Sequence, residues 1–340
     1  MACGRRHASA RSPLRSSPLA EEATAVSVLA ELVERTRILA GASQNVSLSI
    51  SLRFQSKAIA TLVKALLWED ACKSVMSSAV RNCPFVKKSK RTMNHQLSLE
   101  ELWNALPSEE RVFDPDLLPE LPVVARHYLE HAIAPGTRLA SAVRLRMHGE
   151  IKLGTWLPFT AEQVIHRDRG MIWRATVRKN GIPIHGSDRI VDGEGSMQWK
   201  LFGLFSVMKA SGPDITRSTL GRVQVESIWL PSLFCHSDLA WTETDSSHLH
   251  ARLTLWGEVA DLDFTLEKTG QIKTTAISRW GNPERGAFHF VNFGGIVEEE
   301  GTFEGYTIPT RIRAGWYFGT DRFESGGEFF RASIDGATFR

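Results

Sequence analysis

The chain has 340 residues, of which 42 % are hydrophobic and 23 % charged, the proportions of a globular protein rather than a disordered or fibrous one. Its charge is divided. Residues 1–92 carry 15 Lys+Arg against 6 Asp+Glu, and residues 93–340 carry 26 against 32, so the body is mildly acidic and no nucleic-acid partner is expected there.

The opening MACGRRHASARSPLRSSPLA is rich in Arg, Ser and Ala and lacks acids, a composition shared by organellar transit peptides and unstructured tails. Residues 23–40 and 56–80 place apolar residues at helical spacing. The first 30 residues show no apolar core of a secretory signal, and no stretch reaches the ~18–20 apolar residues of a membrane span. A cytoplasmic protein without an integral membrane segment is expected. Met93 opens MNHQLSLEELW, where Ser98 and Glu101 form an S-x-x-E capping box, so residues 1–92 read as a basic extension, disordered to partly helical, that also fits an upstream addition. Residues 93–136 read as a short helical lead-in, with helices over 98–106 and 119–133 stopped by Pro135-Gly136. Residues 137–340 read as the main domain. Nine of the ten Trp follow residue 93, which places the core there.

Beyond Gly136 the apolar period becomes two. Val143, Leu145 and Met147 alternate with Arg144, Arg146 and His148, and Trp173, Ala175 and Val177 alternate with Arg174, Thr176 and Arg178. Further strands are expected at 187–192, 196–203, 205–210, 239–244, 248–256, 258–267, 271–279, 289–297, 306–318 and 327–335. Close spacing with Gly, Asn or Asp turns implies antiparallel neighbours, since parallel pairs need long crossovers. One register can be tested in advance. With Trp256-Gly257 as a two-residue turn, Leu253 faces Ala260, Ala251 faces Leu262 and Leu249 faces Phe264. The other face pairs Arg252 with Asp261 and His250 with Asp263. That pairing accounts for a cluster, with His248, that otherwise resembles a metal site, and no metal is expected.

Residues 211–234 contain a helix start at Ser211 and Pro213 and a stop at Pro231, so a helix over about 213–230 is expected. Strands, one helix and more strands give a mainly β (α+β) fold: a large curved antiparallel sheet or incomplete barrel covered by one central helix and preceded by short helices.

WLPFTAEQ, GSDRIVDGEGSMQWKLFGL, RWGNP, FGGIVEEE and GYTIPTRIRAGWYFGTDRFESGGEFFRA, within residues 138–340, resemble a bacterial family known as a domain of unknown function. The resemblance brings no activity. The strand order and the closing I-P-T-R segment are also similar to the incomplete β-barrel of the LolA-like superfamily, in which a curved sheet wraps a helical lid and the cavity between them takes acyl chains. That resemblance implies a hydrophobic ligand; the absence of a secretion signal departs from it.

No phosphate loop, dinucleotide fingerprint, H-E-x-x-H or G-x-S-x-G is present, and no cofactor is expected. Cys3, Cys72, Cys83 and Cys235 show no paired spacing; Cys235 is expected to be a reduced, packed thiol. Arg189, Asp192 and Glu194 surround a turn signal, and Asp321, Arg322 and Glu324 read as a charged loop. Arg222 and Glu226 stand four apart on the helix, where a paired Arg could hold an anionic head group. Glu298 and Glu300, on one strand face, are candidates for acid/base work. Trp199, Trp229, Trp280, Tyr306 and Trp316 serve a core and equally a ligand pocket. Three readings result. The first is a module binding a fatty acid, lipid or pigment through Trp199, Arg222, Trp229, Trp280, Tyr306 and Trp316. The second is an enzyme using Glu226, Arg222, Glu298 and Glu300 for acid/base work on an apolar substrate, and the third is an interaction protein with a filled core.

Overall fold

A computed structural model of the chain describes residues 96–105, 111–118, 120–236 and 239–340; the expectations for residues 1–92 lie outside the described residues. Period-two sequence becomes strand where one face meets apolar neighbours. In β1 (Ala142–Leu153) Val143, Leu145 and Met147 are buried while Arg146 and His148 are exposed. β2 (Thr155–His166), β3 (Gly170–Lys179), β4 (Ile182–Val191), β5 (Glu194–Leu201) and β6 (Phe205–Ser211) follow it as an antiparallel meander. A second meander comprises β7 (Ala240–Glu243), β8 (His248–Leu255), β9 (Glu258–Leu266), β10 (Ile272–Gly281), β11 (His289–Phe303), β12 (Tyr306–Trp316) and β13 (Glu328–Phe339). Pairing of β1 with β13 joins the two into one 13-stranded sheet.

The anticipated hairpin forms in the anticipated register, with Leu253, Ala251 and Leu249 opposite Ala260, Leu262 and Phe264. Trp256 and Gly257 both take positive φ, 46° and 81°, as a type I′ turn requires. On the wet face Arg252 Nε lies 2.8 Å from Asp261 and His250 pairs with Asp263. His248 instead pairs with Asp245 in the preceding turn, and no metal-ligating cluster occurs among the described residues.

Strand β2 was absent from the expectations. Pro158 interrupts its apolar pattern, yet the position tolerates proline: β3 pairs with β2 only from Phe159 onward, so no ladder donor is lost on that side. Conversely, β11 runs past Val297 to Phe303 and takes in Glu298–Glu300.

The crossover from β6 to β7 carries α3 (Pro213–Glu226), followed by single 3-10 turns at Ser227–Trp229 and Pro231–Cys235. The helix therefore stops four residues before the expected end. Its N-cap is Gly212 at φ 113°, without a side-chain cap, and Ser211 belongs to β6. The earlier helices are α1 (Leu99–Trp103), with the Ser98/Glu101 capping box in place, and α2 (Val123–Ala132). α1 buries Leu99 and Leu102 against Val164 and Ile172. α2 adds Tyr128 to an aromatic cluster with Phe234, Trp241 and Phe264.

Curvature follows from what α3 touches. β5 and β10 lie eight strands apart in the sheet order, about 38 Å if the sheet were flat. A helix only ~10 Å wide contacts both. The Gly195 N–H donates to Thr216 Oγ1 at 2.9 Å on one side, and Arg279 Nε donates to the Ser218 carbonyl at 3.1 Å on the other. A Cβ at Gly195 would stand 2.5 Å from Thr216 Cα, so only glycine lets the helix approach this closely. The sheet is thus a strongly curled, incomplete barrel with α3 against its concave face. Among the described residues, no helix is long and apolar enough to cross a membrane.

Candidate functional site

Between α3 and the concave sheet lies a cavity of about 260 Å³. Its walls are aromatic and aliphatic: Trp173, Phe293, Trp316, Phe329 and Phe330 from the strands, and Trp229, Val225 and Ile228 from α3 and the turn after it. Gly294 and Gly295 of β11 and Ala314 of β12 also line it, so this stretch of wall is almost bare backbone. Large residues elsewhere and small ones here leave the space open.

Four charged side chains border the cavity: Asp188, Arg222, Glu226 and Arg279. Arg222 points from α3 toward β4. Its Nε donates to Glu226 Oε1 at 2.7 Å and its NH1 donates to Asp188 Oδ2 at 3.0 Å, while the guanidinium stacks 4.8 Å from the Trp173 ring centre. The second oxygen of each acid is also engaged. Trp199 Nε1 donates to Asp188 Oδ1 at 3.2 Å, and Gln163 Nε2 donates to Glu226 Oε2 at 2.6 Å. Burial pushes the Asp188 carboxyl above its ordinary value, against the lowering by Arg222.

Arg279 differs. Only its Nε is used, toward the Ser218 carbonyl, and its guanidinium lies 4.6 Å from the Phe293 ring centre and 4.9 Å from that of Trp316. Its two terminal NH₂ groups have no hydrogen-bond or carboxylate partner among the described residues, although the residue is only 9 % exposed. Burial, with repulsion from Arg222, holds this guanidinium well below its usual value. Four residues back along β10, Thr275 is 4 % exposed, lines the same cavity and has an unpartnered hydroxyl.

Of the residues nominated from sequence, Arg222, Glu226, Trp229 and Trp316 line the cavity. Trp199 supports it from behind through Asp188, its ring lying across Gly186. Trp280 and Tyr306 are elsewhere. Trp280 stacks on Phe288 and donates to Asp214 at 3.0 Å, and the Tyr306 hydroxyl ties Ala140 to Arg138 while its ring stacks on Phe339. Glu298 and Glu300 do not converge, because register shifts between Val297 and Glu300 break the strand alternation. Glu298 turns to Arg311 and Arg313. Glu300 turns to His131 at 2.7 Å and accepts the Ile272 N–H. Asp192 pairs with Arg169 at the β4–β5 turn, and Arg322 pairs with Glu284.

Asp188, Arg279, Thr275 and Gln163 escaped the sequence reading. A period-two signal existed for two of them: Asp188 shares a strand face with Ile184 and Ile190, and Arg279 with Ile277.

Residues 119–339 match DUF6920, a family of unknown function. No curated protein matches the chain. Among solved structures, a LolA superfamily protein from Nitrosomonas europaea is similar at 9 % identity over 64 % of this chain and 92 % of that one, with a TM-score of 0.36. A DUF1329 family protein from Desulfovibrio piger is similar at 7 % identity over 59 % and 86 %, with a TM-score of 0.32.

Proposed function

We propose that this chain, which belongs to the DUF6920 family, binds a hydrophobic small molecule or lipid in the cavity between α3 and the curled sheet. The observation that carries the reading is a cavity of about 260 Å³ with aromatic walls and one cation lacking a direct ion pair. Apolar walls with a few fixed polar groups are the usual construction of a small-molecule site.

An acid/base enzyme on the same scaffold is less well supported. Asp188 and Glu226 are close enough to share Arg222, but every carboxylate oxygen already accepts a hydrogen bond. Such groups hold the cavity wall rather than move protons.

Native mass spectrometry of the full chain isolated from cells, followed by denaturation and extraction, tests the proposal. One apolar molecule per chain, released on denaturation, is the expected result. A bare mass, together with no uptake of added amphiphiles, would overturn it.

A further inference from the structure

We infer that the ligand is a single-chain carboxylate, its head group held end-on by the Arg279 NH₂ groups and its tail filling a space of medium-chain length. The inference rests on the cavity-binding reading above and specifies its chemistry.

The sign of the head group comes from the pairing pattern. Arg222 makes the direct ion pairs with Asp188 and Glu226, which leaves Arg279 as the one cavity-lining cation without a direct ion pair among the described residues, those two acids acting on it only at longer range. Burying an unpaired charge is costly unless a partner arrives. With Nε committed to the Ser218 carbonyl, the unused part of the guanidinium is its two-pronged end, which matches the two oxygens of one carboxylate. A dianion fits worse, since Asp188 and Glu226 border the same cavity and their negative charge disfavours a second one beside them.

The size comes from the volume. A cavity of ~150 Å³ takes up benzene, with six heavy atoms, so 260 Å³ takes up roughly ten on the same scale. Arg279 and the unpartnered Thr275 share one face of β10, about 13 Å apart at ~3.3 Å per residue. That stretch accommodates a single chain of this length, and the aromatic residues around it offer the tail an apolar surface.

The test is calorimetric titration of the full chain with straight-chain acids from hexanoate to hexadecanoate, with 1-decanol, and with decyltrimethylammonium. Affinity of the acids is expected to rise roughly fourfold per methylene and to level off between octanoate and decanoate. Decanol is expected to bind at least tenfold more weakly than decanoate, and the ammonium ion more weakly still. Arg279→Gln is expected to bring decanoate down to the affinity of decanol, and Arg279→Lys to recover part of the difference. The series on the unaltered chain reads the head-group preference independently of whether a variant folds. Equal binding of decanol and decanoate, or undiminished decanoate binding by Arg279→Gln, would overturn the carboxylate assignment and leave cavity binding standing. Affinity that keeps climbing to hexadecanoate would overturn the length. If no compound in the series binds, the cavity-binding reading falls with it.

Discussion

Filling the cavity from its bare wall separates a binding site from a packing fault. Ala314 lies on β12 opposite Gly295, on the face that also carries Ile312 and Trp316, and all four line the cavity. Ala314→Leu adds three carbons that project into the open space instead of into packed atoms. At ~0.8 kcal/mol per buried CH₂ the transfer gain is about 2.4 kcal/mol. Part of it is offset by rotamer ordering and by crowding against Phe330, which leaves a net stabilisation of about 1–2 kcal/mol. For a domain of this size that raises Tm by about 2–4 °C in the absence of ligand. The same three carbons occupy volume the ligand needs, so affinity for a ligand that fills the cavity drops roughly fiftyfold. Scanning calorimetry of the unliganded chain and titration with decanoate read the two effects separately. A lowered Tm with unchanged decanoate affinity would refute the reasoning, because it would mean that the wall is already packed and the ligand, if any, binds elsewhere.

Three further outcomes are expected. Arg222→Met removes the shared partner of two largely buried carboxylates and is expected to cost about 3 kcal/mol by chemical denaturation; a loss under 1 kcal/mol would show that the cluster is open to water. The Glu328 carboxyl sits at 5 % exposure between Arg331 and Arg313 at 2.5 and 2.8 Å. Burial alone would raise it, but those hydrogen bonds win and hold it below its ordinary value. Its contribution to stability is therefore full above the ordinary glutamate value and is lost as pH falls through the lowered one. The Tm difference between the unaltered chain and Glu328→Gln should shrink steadily below about pH 4.5, and a difference that stays constant with pH would contradict this. Burial pushes the Cys235 thiol up to about 12, which leaves little thiolate at pH 8. Alkylation followed by peptide mapping should find Cys235 unmodified until the chain is denatured, and rapid labelling of the folded chain would show the thiol to be accessible.

The fold was legible where a strand has one wet and one dry face. The β8–β9 hairpin could be registered residue by residue because its charges pair on one side and its apolar residues on the other. β2 escaped because Pro158 and the mixed sequence Glu162-Gln163 hide the alternation. The site was half legible. Arg222 and Glu226 were found through their helical spacing, and Trp229 and Trp316 through residue type. Glu298 and Glu300 misled because their spacing holds only for a regular strand, and bulges intervene. The cation left without a partner could not be identified from sequence, since whether Arg222 or Arg279 is satisfied depends on which acids the curled sheet brings to each. Asp188 reaches Arg222 across 34 positions of sequence, a distance over which spacing carries no information.

Tryptophan fluorescence with bromine-labelled decanoate addresses the central claim most directly, because bromine quenches only rings that it touches and Trp173, Trp229 and Trp316 all line the cavity. Cavity binding predicts saturable quenching with one site per chain, reversed by unlabelled decanoate and shifted to roughly fiftyfold higher concentration in Ala314→Leu. Quenching that rises linearly without saturation, or that Ala314→Leu leaves untouched, would place the ligand outside the cavity and contradict the account.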